Sequence, residues 1–296
     1  MKVRITLITC ILLLAANTAS VRSSAGRGLS AFNSSAAEVQ YIISIDKSVY
    51  VSGEPVIVTS TVVNKSDTLV QVRRPFAAAF VVTYTLEKIV GKRREALGGP
   101  AEGGDPLWTA PAVELQPGKT TTSSSELSIQ LGDLYLEPGA YALRASYHLS
   151  EYGAEDYRSN VITSAEIYFN VEPLPEAEQR VKRNLSEAFY SAQGIQRVGI
   201  LKTFLAKNQA SIHRVYALNK LLEATYQQKD WPSVVEVSRK LQEENISVEY
   251  KNLLLYSEGN ALRNLHDIRG AIAVLSKSFF PQAQALKKHL EKQEEK

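Results

Sequence analysis

One cysteine, one methionine, two tryptophans and four histidines are spread over 296 residues, and these scarcities exclude a good deal. The single cysteine, Cys10, sits inside the apolar run Ile5–Ala16 at the start of the chain. If that run is removed, neither disulfides nor thiolate metal sites are left, and the fold rests on burial alone. The histidines (His148, His213, His266 and His289) form no H-E-x-x-H pair. His148 lies near Glu151, Glu155 and Asp156, but the spacing of a metal-ligand set is missing, so a solvated acidic hairpin is the favoured reading. There is no Gly-x-Ser-x-Gly elbow. Gly98-Gly99 and Gly103-Gly104 flank Pro100 without a following helix, so they cannot aim amides at a phosphate. No cofactor and no metal are expected.

Charge of one sign is also lacking. Lys and Arg number 34 against 31 Asp and Glu, a formal net charge of +3. Loss of Lys2 and Arg4 would leave 3 − 2 = +1, and loss of Arg22 as well would leave zero. A near-neutral chain has no general attraction for nucleic acid. Lys92-Arg93-Arg94 reads as a hairpin tip rather than a nucleic-acid patch. The only long apolar run, Ile5–Ala16, is shorter than the about 20 residues that span a bilayer comfortably.

What is present begins with the order of a secretory signal peptide over 1–25. Lys2 and Arg4 precede the apolar run, and small polar residues follow it. Cleavage after Ala19 or after Ala25 fits, and an uncleaved signal anchor is the alternative. Residues 26–38, rich in Ser, Ala and Gly, read as a flexible spacer. The expected location is exported, periplasmic or extracellular, with no membrane span after signal cleavage.

From Val39 to Glu172 the pattern is β. Strands are expected at Tyr41–Asp46, Val56–Val63, Ala79–Ile89, Thr120–Leu131, Ala140–Leu149 and Val161–Val171, with a long loop over Gly91–Pro111. Short strands without helices between them indicate an antiparallel sandwich. Leu136–Tyr141 (LEPGAY) resembles the tyrosine corner of immunoglobulin-like and fibronectin-type domains. Asp46–Val56 (DKSVYVSGEPV) resembles the opening of macroglobulin-type and other secreted Ig-like modules. These resemblances imply an Ig-like β-sandwich over 39–172.

Pro173 and Pro175 mark a stiff connector, and Pro175 suits the first turn of a helix. Helical periodicity then runs over 176–296. Stretches around Ala188, Ala224 and Ala261 align at spacings of 36 and 37 residues. In the last, Leu255, Gly259 and Leu262 share one helix face, and Ile268, Ala271, Leu275 and Ser278 the next, with Asp267 as N-cap. In the middle one, Leu218, Leu221 and Leu222 lead to Ala224, Asp230-Trp231-Pro232 makes the turn, and Val234, Val235 and Leu241 follow. This array resembles the tetratricopeptide repeat (TPR), although the inter-helix glycine and the closing proline are missing, and a generic stack of helical hairpins is the other reading. The expected fold is therefore multidomain all-β plus all-α: an Ig-like antiparallel β-sandwich followed by TPR-like α-helical hairpin repeats.

The TPR resemblance implies a concave face carrying Arg183, Glu187 and Tyr190, then Asn219, Glu223 and Tyr226, then Tyr256, Asn260 and Arg263. Aromatics and arginines are the residues that protein recognition favours. The expected function is an exported, non-enzymatic interaction or scaffold protein with a protein partner. The alternative is an adhesion or polysaccharide-binding module acting through the sandwich, with Trp108 and Tyr152 in its loops. A hydrolase with dispersed carboxylates is a third reading. Four Asn-x-Ser sequons, at Asn33, Asn64, Asn184 and Asn245, would matter in a glycosylating host.

Overall fold

A computed structural model describes residues 38–75, 81–97, 110–127, 136–150, 156, 158–191 and 195–295, with the side chains of 186–195 left aside. Its contacts divide the chain into two compact units. One holds the described residues of Met1–Ser48, Val56–Leu134 and Gly139–Phe169; the other holds those of Val49–Pro55, Tyr135–Pro138 and Asn170–Lys296. The leader, and the spacer up to residue 37, lie outside the described residues.

In the first unit, β1 (Val39–Ile45) alternates strictly between buried and exposed positions, because Val39, Tyr41 and Ile43 face inward. It pairs antiparallel with β3 (Ile57–Asn64), which pairs antiparallel with β8 (Thr120–Glu126). The larger sheet centres on β5 (Val82–Val90) and β9 (Gly139–His148), antiparallel over eight residue pairs from Val82↔Tyr147 to Ile89↔Ala140. A tight turn with Gly91 in the left-handed region joins β5 to β6 (Arg93–Ala96), and β10 (Val161–Thr163) adds to β9. A separate two-stranded ribbon pairs β4 (Val70–Arg73) with β7 (Ala112–Leu115).

Hydroxyls knit this core together. Tyr41 Oη lies 2.9 Å from Ser60 Oγ, which lies 3.3 Å from Tyr84 Oη, and Tyr84 donates to Ser125 Oγ at 3.3 Å. Four strands thereby satisfy one another's buried polar atoms without a cysteine.

The second unit starts with a strand pairing. β2 (Val49–Val51) lies parallel to Asn170–Glu172 of β11 (Ile167–Glu172). Among the described residues seven helices follow: α1 (Glu176–Ser191), α2 (Ile195–Lys207), α3 (Arg214–Gln227), α4 (Trp231–Glu243), α5 (Val248–Asn264), α6 (Ile268–Leu275) and α7 (Pro281–Glu294). Asp230 caps α4 by accepting from the Ser233 amide at 3.3 Å, and Pro232 occupies its first turn. Asp267 caps α6 by accepting from the Gly270 amide at 2.9 Å.

Helix α5 is the centre of the unit and buries residues around its whole girth, so its polar groups need partners. The buried Glu258 carboxylate accepts from Arg239 Nε at 2.7 Å and Gln242 Nε2 at 2.8 Å. The buried Asn252 Oδ1 accepts from Ser278 Oγ at 3.0 Å and the Phe279 amide at 2.9 Å.

The expected fold class is corrected. The sheet that runs through β11 is mixed, since β2 joins it in parallel, and β4 with β7 stands apart as a third sheet. This is a mixed α/β chain, not an Ig-like antiparallel β-sandwich followed by TPR-like repeats. Period-two alternation reports which face a strand buries, but not the direction of the strand beside it. The helices run 16, 13, 14, 13, 17, 8 and 14 residues, whereas repeats of one design would give pairs of like length. At the α3–α4 and α5–α6 turns, where that family uses glycine, Lys229 and His266 take positive φ of 57° and 62°.

Candidate functional site

Five of the nine residues expected on a concave face meet between α3 and α5. Asn260 Nδ2 donates to Tyr226 Oη at 3.0 Å, and Tyr250 Oη donates to Asn219 Oδ1. Tyr226 also meets Trp231 edge to face, with ring centroids 5.3 Å apart. The Arg263 charge acts on the phenols of both Tyr226 and Tyr256, although burial dominates and pushes both phenols above their ordinary value. Arg263 is half-buried and forms no ion pair among the described residues.

This is a polar seam between helices more than an open face. Asn260 is only 4% exposed, and Asn219, Tyr226 and Tyr256 are half-buried. Tyr256 and Arg263 are the members free to meet a partner. Tyr250, which sequence reasoning missed, completes the seam; its place one helical turn before Leu254 was the available signal.

Of the other four, Glu223 and Arg183 are placed elsewhere. Glu223 is held by Lys220 Nζ at 3.1 Å on its own helix. The side chains of Glu187 and Tyr190 lie outside the described residues. Arg183, exposed on α1, lines a shallow cleft of about 470 Å³ with Ser52, Pro138, Pro173, Leu174, Gln179 and Lys182. Trp108 and Tyr152, the aromatics of the adhesion reading, also lie outside the described residues.

Several histidine and carboxylate side chains are held by neighbours on their own unit. His148 Nε2 lies 3.0 Å from Thr83 Oγ1, and Asp156 accepts from Ser150 Oγ at 2.5 Å. Glu151 and Glu155 lie outside the described residues, and no group of three or more His, Cys, Asp or Glu among the described residues could hold a metal ion. On the sheet surface, Arg94 grips Glu166 with two hydrogen bonds of 2.7 and 3.1 Å, and Tyr168 donates to the same carboxylate. The hydrogen bonds from Arg94, then that from Tyr168, hold Glu166 down at about 2 and favour its ionised form. Of the sequons, Asn64 is fully buried, and its amide donates to Thr68 O at 2.7 Å and Leu115 O at 2.9 Å, which closes it to modification in the folded state.

His213, at the start of α3, is 3% exposed. Its Nε2 has no hydrogen bond and lies 3.9 Å from Glu178 Oε2, which itself accepts from Ser211 Oγ at 2.8 Å. Burial holds its pKa below the usual 6.5; Glu178 opposes this and Lys182 adds to it. The unfolded chain therefore binds a proton that the folded chain refuses. Stability is complete above 6.5 and falls as pH drops from there through the folded-state pKa. Thermal melts from pH 8 to pH 5 should show this fall, and His213→Gln should flatten it; a slope unchanged by the substitution would assign the fall to other groups.

No family model matches the chain, and no curated protein matches it. Weak similarity to solved structures exists. The sporulation control protein Spo0M of Bacillus subtilis matches with a TM-score of 0.29 and 16% identity, over 52% of this chain and 55% of that one. A β-glucosidase of Erythrobacter marinus matches with a TM-score of 0.26 and 16% identity, over 45% of this chain and 15% of the enzyme. The alkylpurine DNA glycosylase AlkC of Pseudomonas fluorescens matches with a TM-score of 0.27 and 12% identity, over 46% of this chain and 30% of that one. Scores this low carry no argument about fold or function.

Proposed function

We propose that this chain is an exported, non-enzymatic protein that binds a protein partner through its helical unit. The observation that carries the reading is the α3–α5 seam, where Arg263 stands beside Tyr226 and Tyr256 with no ion pair among the described residues. Arginine and tyrosine dominate the energetics of protein interfaces, because each offers a large contact area together with hydrogen-bonding groups. Here the asparagines 219 and 260 hold the neighbouring phenols in place before any partner arrives, which lowers the ordering cost of association. The export half of the proposal rests on the charged start, short apolar run and small residues of 1–25.

The test substitutes Tyr256→Ala and Arg263→Glu, separately, in the full chain. Both side chains are partly exposed, so folding should survive, as circular dichroism and melting temperature will show. Chemical crosslinking in host envelope extract should recover a defined protein with the native chain. Each variant should lower that recovery at least about tenfold, the effect of losing about 1.4 kcal/mol from a hot spot. Equal recovery by native and variant chains sinks the reading.

A further inference from the structure

The solvent face of the larger sheet carries a row of side chains that crosses four of its strands. In sheet order, Tyr168 stands on β11 with Glu166 just before that strand, Arg144 on β9, Glu87 on β5 and Arg94 on β6. All five belong to the sheet unit. Arg94 Nη1 lies 2.7 Å from Glu166 Oε1 and 3.1 Å from Glu87 Oε2. Arg144 Nε lies 3.4 Å from Glu166 Oε1, and its Nη2 lies 3.9 Å from Glu87 Oε2. Tyr168 Oη accepts from Arg94 Nη2 at 3.3 Å and donates to Glu166. Two cations thus balance two carboxylates, and the row has no net charge. It stays open to solvent all the same, since both arginines are nearly half exposed and Tyr168 is 56% exposed. Exposed ion pairs contribute little to stability, so holding the fold together does not explain the row.

We propose that this row binds an extended, uncharged polysaccharide. Sugar hydroxyls both donate and accept, and from β6 to β11 the row alternates guanidinium donors with carboxylate acceptors. Among the described residues Glu87 meets both arginines through Oε2, so its Oε1 can accept from a sugar hydroxyl. Thr85, exposed and opposite Arg144 in the β5–β9 register, adds a hydroxyl to the same face. A balanced row gives no long-range pull on a charged ligand, which disfavours an acidic glycan or a nucleic acid. The two hydrogen bonds of its phenol hold the Tyr168 ring in place before any ligand arrives, and the ring suits the apolar C–H face of a pyranose. Neighbouring strands lie about 4.8 Å apart, close to the rise of one sugar in an extended chain. A glycan laid across the strands would therefore meet about one strand per sugar. This site does not depend on the α3–α5 seam.

Affinity electrophoresis of the full chain in native gels tests the proposal. Hydroxyethyl cellulose and glucomannan are the extended, uncharged probes, with polygalacturonate and flexible dextran as controls. At least one of the two probes should retard the chain, and neither control should. Tyr168→Ala should weaken the fitted Kd at least about tenfold, while Tyr168→Phe, which keeps the ring, should lose only a fewfold. Glu87→Gln should also lose a fewfold, whereas Tyr256→Ala should leave the affinity intact. Because Tyr168 is exposed, Tyr168→Ala should keep the native circular dichroism and melting temperature. No retardation by either probe, equal retardation by polygalacturonate, or an unaffected Tyr168→Ala variant would overturn the proposal.

Discussion

Gly259→Ala is expected to destabilise the helical unit by about 1–3 kcal/mol, a large penalty for one methyl group. Gly259 lies in the middle of α5, where alanine would ordinarily raise helix propensity by about 1 kcal/mol. Packing reverses the sign. A Cβ built on Gly259 would stand 2.5 Å from Leu275 Cγ and 2.6 Å from Leu275 Cδ2. Leu275 is fully buried on α6 and cannot swing into solvent, so the two helix backbones must part or the leucine must leave its rotamer. Leu275→Ala alone should cost about 2–5 kcal/mol through the cavity it leaves. The double variant should cost less than the sum of the two, because the new methyl fills part of the space the leucine vacates. Urea unfolding of the four proteins measures the cycle. A strictly additive result would show that α5 and α6 do not meet at Gly259.

That close approach was legible in the sequence, because a glycine on the same helix face as Leu255 and Leu262 has few other uses in a helix interior. The helix starts were legible for the same local reasons. Asp230 and Asp267 offer side-chain oxygens to orphan amides, and Pro232 suits a first turn. The seam was legible to within one helical turn. Aligning Ala224 with Ala261 sets Tyr226 opposite Arg263, whereas the hydrogen bond of Tyr226 runs to Asn260, one turn earlier. Helical side chains lean toward the N-terminus, and a register read from repeat spacing takes no account of that lean.

Non-local pairing was not legible. β2, β4, β6 and β7 are three or four residues long, too short to show a period, and the parallel match of β2 to β11 joins residues about 120 positions apart. The shallow cleft was hidden for the same reason, since its walls come from residues 52, 138 and 173–183. Arg183, grouped by the repeat register with Glu187 and Tyr190, lines this cleft on α1.

Tyr147→Phe is expected to cost about 1–3 kcal/mol in the sheet unit, although it removes one oxygen and leaves the ring in place. The phenol serves both backbone groups of a single residue. It accepts from the Arg73 amide at 3.1 Å and donates to the Arg73 carbonyl at 2.7 Å. Arg73 is the last residue of β4, and its guanidinium donates to the carbonyls of His148 at 2.8 Å and Ser150. Losing the hydroxyl takes one partner from both the amide and the carbonyl of Arg73, beside a ring that is 1% exposed. The ring's packing against Tyr41, 5.5 Å away, should persist, so the loss reports hydrogen bonding and not volume. Alkaline titration supplies a second signature. Burial, the largest influence, pushes the Tyr147 phenol well above its ordinary value of 10, so the folded chain keeps a proton that the unfolded chain gives up. Stability should therefore be complete below pH 10 and fall as pH rises beyond it, and Tyr147→Phe should remove part of that fall. Urea unfolding at pH 8 and pH 10.5 separates the two effects. If Tyr147→Phe matches the native chain at both, the Arg73 backbone does not depend on this hydroxyl and β4 is held by its pairing with β7 and by the Arg73 guanidinium.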